Sequence, residues 1–214
     1  MACVRARLSA VAVLLLAAGG TRADELGDLL SGGPLVRVEH GEDNRFRRAL
    51  CLADVDAPVE VVWAVIAEPS RYKEFMPRVK RITVVDEGPN QKLVSYLLDT
   101  PFSDTAYTLR FKLDPVARTI DARHVSGDIR GSEYAWKLTA QGPETTRIHY
   151  GGVTRNYSSV AQRFEDDSQT VTVGVNVVGL MAAVKAVKSR SEATWKKQKA
   201  AGATVRAAGD GGVP

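Results

Sequence analysis

The chain has 214 residues, of which 44% are hydrophobic, so it holds enough apolar material for one domain with a sizeable interior. Its formal charge of +4 includes Arg5, Arg7 and Arg22, and without these three the balance is 26 basic against 25 acidic side chains. Such a nearly neutral remainder argues against nucleic acid as a partner. The two cysteines, Cys3 and Cys51, are too few for a disulfide-based scaffold.

The N-terminus predicts a signal peptide over residues 1–23. A basic start precedes the apolar run from Leu8 to Ala18, and Thr21-Arg22-Ala23 places small residues where a signal peptidase cleaves. The run is too short to cross a bilayer as a helix, which needs about 20 residues. An uncleaved anchor is the alternative. The mature chain is expected to begin at Asp24 and to be exported, to a periplasm or to the outside.

Residues 24–44 show little periodicity and are expected to lead in to the first strand, which ends at Val55. A short helix is predicted directly after that strand. Pro58 lies in its first turn, where the missing N–H costs nothing, and Asp56 is expected to accept the free amides there. One buried helix face is indicated by apolar residues at the spacing i, i+3, i+4, i+7, namely Val59, Val62, Trp63 and Ile66.

A second short helix is predicted next, because Pro69 ends the first one and Ser70 is a suitable cap. This second helix carries Tyr72, Phe75 and Met76 and ends at Pro77.

Strand-like runs separated by turn signals follow, over residues 81–85, 92–98, 105–113, 119–125, 134–140 and 146–153. Together with the strand before the helices they predict about seven antiparallel strands at hairpin spacing. In one of them Tyr107, Leu109 and Phe111 alternate with Thr108 and Arg110, which indicates one buried and one wet face.

A long helix is predicted from about residue 174 to 199. One stripe at steps of three and four supports it, formed by Val173, Val177, Leu180, Val184, Val187 and Ser191. Residues 171–178 also alternate with a period of two, so a short strand before the helix is an alternative. The Ala/Gly-rich tail, 200–214, is expected to be flexible.

The run DAPVEVVWAVIAEPSRYKEFMPRV at 56–79 resembles the opening of the START-like (SRPBCC) superfamily, the polyketide cyclase/dehydrase and lipid-transport group that includes coenzyme Q-binding proteins. The residues in the family's places are Pro58, Val62, Trp63, Tyr72, Phe75 and Pro77. The resemblance is expected to cover residues 45–199. It implies an α+β helix-grip fold, a curved antiparallel sheet closed on one side by a long C-terminal helix. Its chemical implication is weaker, because the family contains carriers, cyclases and hydrolases.

In that family the space between sheet and helix is the ligand cavity. The residues expected to line it here are Trp63, Tyr72, Phe75, Met76, Tyr107, Leu109, Phe111, His124, Tyr134, Trp136, Tyr150, Val177 and Met181. Apolar walls with a few phenol hydroxyls suit a hydrophobic ligand that carries one or two oxygens. The alternative is that these residues pack on each other as an ordinary core.

Among the three histidines, His124 is expected to face inward because it alternates with Asp121 and Arg123 on a strand. There it could hold a ligand carbonyl or exchange a proton, or else serve as a structural histidine. His149 is expected to be exposed. The histidines are not spaced as a metal site, and neither a nucleophile elbow nor a phosphate-binding loop occurs, so no metal or cofactor is expected.

The basic C-terminal segment has two interpretations. Its cations are Lys185, Lys188, Arg190, Lys196, Lys197, Lys199 and Arg206, with Glu192 as the single acid among them. They could rest on anionic lipid headgroups, or form a solvated helix face with cations favourably placed near its C-terminus.

Three functions are compatible with this sequence. The first is an exported carrier or sensor that binds a lipid, a quinone or a polyketide-like molecule. The second is a cyclase or dehydratase that uses His124, Tyr107 or Tyr150 as an acid–base group. The third is a packed interaction domain without a ligand. Because no convergent acid–base pair is evident, the sequence favours binding over catalysis.

Overall fold

The computed structural model describes residues 21–99, 104–155 and 169–209. Helix α1 (Thr21–Ser31) and strand β1 (Leu35–His40) come first, followed by β2 (Phe46–Val55), α2 (Val59–Ile66) and a 3₁₀ helix (Pro69–Glu74). Six strands and one helix complete the described chain: β3 (Val79–Gly88), β4 (Gln91–Leu98), β5 (Thr105–Asp114), β6 (Thr119–Gly127), β7 (Glu133–Gly142), β8 (Thr145–Val153) and α3 (Gln169–Gly209).

The strands form one curved antiparallel sheet in the order β1-β2-β8-β7-β6-β5-β4-β3. Each strand from β3 to β8 pairs with its neighbour in sequence, as the hairpin spacing predicted. Their side chains alternate between a buried inner face and a wet outer face, because successive residues of a strand point to opposite sides. The α+β helix-grip fold is therefore confirmed.

The N-terminal part of the fold is richer than expected. Residues 24–44, which were expected only to lead in to the first strand, contain most of α1 and the whole of β1. Strand β1 pairs with β2 and forms an edge of the sheet, so the described residues form eight strands where about seven were predicted. Residues 1–20 lie outside the described part of the chain, and most of the predicted signal peptide lies there.

The two short helices after β2 are present, but their ends differ from the prediction. Pro58 itself is the N-cap of α2, and no side chain caps that helix. The backbone N–H of Asp56 instead donates to the carboxylate of Glu192 on α3. The 3₁₀ helix begins with Pro69, whose fixed φ suits a first helical position. Ser70 is not its cap, because the Ser70 hydroxyl donates to the Glu68 side chain.

Helix α3 is longer than the prediction at both ends. It begins at Gln169, so the alternative of a short strand over residues 171–178 is wrong. It also continues to Gly209, through most of the expected flexible tail, and residues 210–214 lie outside the described chain. Most of the predicted stripe is buried: Leu180, Val184, Val187 and Ser191.

Helix α3 packs mainly across β2, and it also contacts α2, β8 and β1. A polar clamp holds its second half against the turn between β2 and α2. In this clamp Lys188 Nζ lies 2.6 Å from the Asp54 carbonyl oxygen and 2.6 Å from Glu192 Oε1. The same Glu192 carboxylate accepts the Asp56 N–H at 3.1 Å. This clamp fixes which face of α3 points toward the sheet.

Candidate ligand-binding site

The inner face of the sheet carries stacked pairs of aromatic side chains. Tyr96 of β4 and Tyr107 of β5 are directly opposite in the strand register, and their ring centroids lie 5.1 Å apart. Trp136 of β7 and Tyr150 of β8 are likewise opposite, with centroids 3.7 Å apart. Cross-strand register therefore builds a wall of flat rings between the sheet and the helices.

Five tyrosines converge in this interior, and we call them the tyrosine cluster: Tyr72, Tyr96, Tyr107, Tyr134 and Tyr150. The pKa of Tyr96 is raised well above its usual range, first by burial and then by the other four phenols of the cluster. Burial also raises the pKa values of Tyr107 and Tyr150. The hydroxyls therefore stay protonated near neutral pH, so each is available as a hydrogen-bond donor.

Two of these hydroxyls are already satisfied by the protein. The Tyr72 hydroxyl donates to the Ile66 carbonyl oxygen at 2.6 Å, and the Tyr134 hydroxyl lies 2.7 Å from Thr154 Oγ1. The hydroxyls of Tyr96, Tyr107 and Tyr150 form no hydrogen bond with residues 21–99, 104–155 and 169–209, and Tyr107 and Tyr150 are only partly buried. The fully buried side-chain atoms without a partner in these ranges are Ser191 Oγ and Trp195 Nε1 instead. The interior thus holds three phenols that lack a described partner.

The structure places most of the expected lining residues around this cluster. Leu109, Phe111 and Trp136 are buried, and Met76 and Val177 are partly buried against the core. Trp63 and Phe75 also pack against the core, but each lies beneath a guanidinium group: Arg118 over Trp63 at 5.6 Å, and Arg190 over Phe75 at 5.7 Å. These two rings form the rim of the aromatic interior rather than its centre.

Met181 was expected to line the interior, and this prediction is wrong. Its side chain is 38% exposed, on the flank of α3 beside the inward residues. Leu180 and Val184 occupy the inward positions instead. Since consecutive helix residues are about 100° apart, the residue next to an inward leucine turns toward solvent.

His124 lies opposite Leu109 in the register, on the strand face that also carries Ile120 and Ala122. Its ring is half-buried, and Nε2 lies 3.2 Å from the carbonyl oxygen of Gly127. This contact is of the kind expected if His124 is a structural histidine, the alternative to a ligand-binding role. His149 was expected to be exposed but is half-buried, and burial lowers its pKa, with Lys137 and Arg147 lowering it further.

A cavity of about 520 Å³ lies at the sheet, but on its outer face rather than at the expected place between sheet and helix. Residues of four strands line it. The polar ones are Arg81, Thr83, Ser95, Thr108 and Ser126, and the others are Tyr96, Leu97, Ala106, Tyr107 and Gly127. It is open to solvent, and its lining is mixed polar and apolar. Within the described ranges, no group of three or more metal-ligating side chains could hold an ion.

Two residues of the site were missed in the sequence. Tyr96 completes the stacked pair with Tyr107, and its alternation with Ser95 was a usable signal. Asn176 is buried in the first half of α3, where it bonds both the N–H and the carbonyl of Thr154 at 2.6 and 3.2 Å. The signal for Asn176 was a single amide within a valine-rich run.

Solved structures with this fold come from several bacteria. A Zhui aromatase/cyclase from Streptomyces is 23% identical, with a TM-score of 0.58 over 68% of this chain and 93% of that one. A STAR-related lipid transfer protein from Xanthomonas axonopodis is 14% identical, with a TM-score of 0.57 over 74% and 93%. A START superfamily protein from Mycobacterium smegmatis is 14% identical, with a TM-score of 0.57 over 69% and 98%. At these identities the likeness shows the fold alone.

No curated protein matches the chain. The family model described as polyketide cyclase / dehydrase and lipid transport matches residues 55–189, which is more than half of the sequence and contains the whole tyrosine cluster. The chain therefore belongs to the polyketide cyclase/dehydrase and lipid transport family and has its START-like fold.

Proposed function

We propose that this protein is a carrier or sensor that binds one neutral hydrophobic molecule at the tyrosine cluster on the inner face of the sheet. The observation that supports it most is the convergence of five phenols, three of which lack a hydrogen-bond partner among the described residues. Hydroxyls left free among aromatic rings suit a ligand that brings its own acceptors.

The chemistry of the cluster favours a quinone or a polyketide-like compound over a free fatty acid. Protonated phenols donate hydrogen bonds to carbonyl oxygens. A carboxylate would be costly to bury among these rings, because the tyrosine cluster contributes no cation to pair with it. Flat rings such as Trp136 and Tyr150 also suit stacking against a planar ligand. A neutral lipid with carbonyl groups satisfies the same requirements.

Binding is favoured over catalysis for this interior. General acid–base catalysis works best with a group whose pKa lies near the operating pH, and burial raises the phenol pKa values away from neutrality. His124, the other expected acid–base group, already contacts the Gly127 carbonyl. Turnover of a polyketone that is lost in a His124→Gln variant with binding retained would instead support the enzyme alternative.

Replacing Tyr96, Tyr107 or Tyr150 with phenylalanine is expected to weaken binding of a quinone probe about two- to tenfold each. This is the worth of one net hydrogen bond, roughly 0.5–1.5 kcal/mol. Stability should hardly change, because the lost hydroxyls have no described partner. Intrinsic tryptophan quenching by a soluble ubiquinone analogue measures the affinity, and urea unfolding measures the stability.

Tyr72→Phe is the matched control, since its hydroxyl bonds the Ile66 carbonyl at 2.6 Å. It should lower the free energy of unfolding by about 1 kcal/mol and leave quinone affinity nearly unchanged. If all four variants bind the quinone as the wild type does, the interior is a packed core and the binding proposal fails.

We also propose that the protein is exported and that the mature chain begins at Asp24. The basic start, the short apolar run and the small residues at Thr21 and Ala23 support this. N-terminal sequencing of the protein recovered from its own host should give Asp24 as the first residue. Recovery of Met1 or Ala2 at the N-terminus would contradict processing.

The basic end of α3 is proposed to contact anionic lipid headgroups. Lys188, Arg190 and Lys199 are engaged by carboxylates of the same protein. Lys185 and Lys196, by contrast, form no ion pair with any residue that the structure describes, and neither does Lys197. Each free cation near an anionic surface contributes roughly 1 kcal/mol. The side chain of Arg206 lies outside the described residues.

A further inference from the structure

The first half of α3 exposes a line of large apolar side chains, which we call the valine ridge. Its members and their exposed fractions are Val171 (43%), Val175 (57%), Val178 (66%) and Met181 (38%). Between residues 171 and 184, the exposed residues are these four and two glycines, Gly174 and Gly179. Soluble helices normally turn polar residues outward at such positions, so this face is unusual.

The ridge is separate from the side of α3 that stabilises the fold. Val171, Val175 and Val178 follow the spacing i, i+4, i+7, which places them on one line along the helix. Leu180 and Val184 on the opposite side pack into the core. The bonds from Asn176 to Thr154 fix this rotation of the helix. The ridge therefore faces outward without contributing to the described core.

The charges along the same helix show what kind of surface would cover the ridge. No Asp or Glu occurs between Gln169 and Ser191. The outward line of the ridge continues about two turns beyond Val178 with Lys185 and about five turns beyond it with Lys196, since 7 and 18 residues are close to whole numbers of helical turns. Within Gln169–Gly202, one stretch of 18 residues has a mean hydropathy of 1.7, and only 22% of that stretch is buried inside the protein.

We propose that the valine ridge inserts into the interface of an anionic lipid bilayer, with α3 lying in the membrane plane. An apolar exposed face continued by cations is the pattern of helices that bind in this way. The inference rests on the proposed function, because a carrier of a hydrophobic molecule has to exchange it with a lipid phase. It adds hydrocarbon insertion of the first half of the helix to the headgroup contact proposed for the basic end.

A second copy of the chain is the rival occupant of this face. Pairing two ridges would bury valine on valine, but it would offer no opposite charge to Lys185, because this half of the helix lacks acids. An anionic bilayer supplies both the apolar phase and the negative charge. The same half of α3 is joined to the tyrosine cluster on its buried side, opposite the ridge, since Asn176 bonds Thr154 and Thr154 Oγ1 bonds Tyr134.

The test compares the full chain with a Val175→Asp/Val178→Asp variant in sedimentation with vesicles of phosphatidylcholine and phosphatidylglycerol. We expect the variant to bind at least tenfold more weakly, with unchanged urea unfolding because both side chains are exposed. Val116→Asp is the matched control, since Val116 is 95% exposed in the turn between β5 and β6 and lies off the ridge. It should bind as the wild type does. Equal binding by all three proteins would overturn the proposal.

A second measurement reports on insertion of the ridge itself, so vesicle binding by the apolar N-terminal segment does not affect it. Val178→Trp should gain fluorescence quenched by brominated lipid in these vesicles, whereas Val116→Trp should not. The proposal would be overturned if Val178→Trp showed no added quenching. It would also be overturned if the wild type bound no vesicles and formed a dimer that the ridge variant converts to a monomer. Quinone affinity measured without vesicles distinguishes failure of the ligand-site proposal from failure of the membrane proposal. The tyrosine variants should lose quinone affinity if the ligand site is correct, and the ridge variant should retain it.

Discussion

Replacing Trp136 with alanine is expected to lower the free energy of unfolding by about 3–5 kcal/mol, the usual cost of truncating a buried large aromatic residue. Trp136 is buried on β7, and its ring stacks on Tyr150 with centroids 3.7 Å apart. Alanine would remove the ring contact and leave a cavity that strands β6 and β8 cannot close. Since domains are stable by about 5–15 kcal/mol, the variant should be marginal at best. Urea unfolding followed by circular dichroism measures the loss.

Trp136→Phe is the matched control, because phenylalanine keeps a ring for Tyr150 to stack on. It should cost clearly less than the alanine variant. A loss below about 1 kcal/mol in Trp136→Ala would show that the ring does not pack as described. The aromatic wall would then be a loose lining rather than part of the core.

Replacing Asn176 with alanine is expected to cost about 2–4 kcal/mol. The Asn176 amide accepts the N–H of Thr154 at 2.6 Å and donates to its carbonyl at 3.2 Å, much as a neighbouring strand would. Removing it leaves both backbone groups without these partners, and each buried group left unsatisfied costs about 1–3 kcal/mol. The first half of α3 would also lose its polar attachment to the end of β8. The free energy of unfolding and the hydrogen exchange of the Thr154 amide report the two effects.

Val175→Ala is the control on the same helix, because Val175 is exposed and makes no such bond. It should change stability by less than about 0.5 kcal/mol. Unchanged exchange at the Thr154 amide in Asn176→Ala would contradict the proposed attachment, even if the global stability fell.

The elements of the fold that follow local patterns were predictable. Strand β5 was evident because Leu109 and Phe111 alternate with Arg110, and α2 because Val62 and Ile66 recur at helical spacing. Strand β1 was missed for a physical reason. It is an edge strand in which no residue is fully buried, so its sequence shows no clear alternation of buried and exposed positions. It forms by pairing with β2, and that pairing is not evident from the residues of β1 alone.

The candidate site divides in the same way. The inward direction of Tyr107, Tyr134 and Tyr150 follows from alternation within each strand. Whether their rings meet depends on the register between strands, which placed Tyr96 opposite Tyr107 and Trp136 opposite Tyr150. Met181 shows the limit for helices. The spacing of the stripe allowed several rotations of α3, and contacts with β2 and Thr154 selected the one that turns Met181 outward.

By itself, the sequence determined the family, the order of the central elements and the apolar inner faces, because these depend on periodicity and on residues adjacent in the chain. Only the tertiary structure decided which phenols lack partners and which side of α3 is left uncovered. The hydrogen bond from Tyr72 to Ile66 and the clamp from Lys188 to Asp54 are examples. Each forms only because tertiary packing brings the two residues together. The exposed valines are the clearest case, since Val175 and Val178 are of the same residue type as the partly buried Val177 beside them and differ in the side of α3 that they occupy.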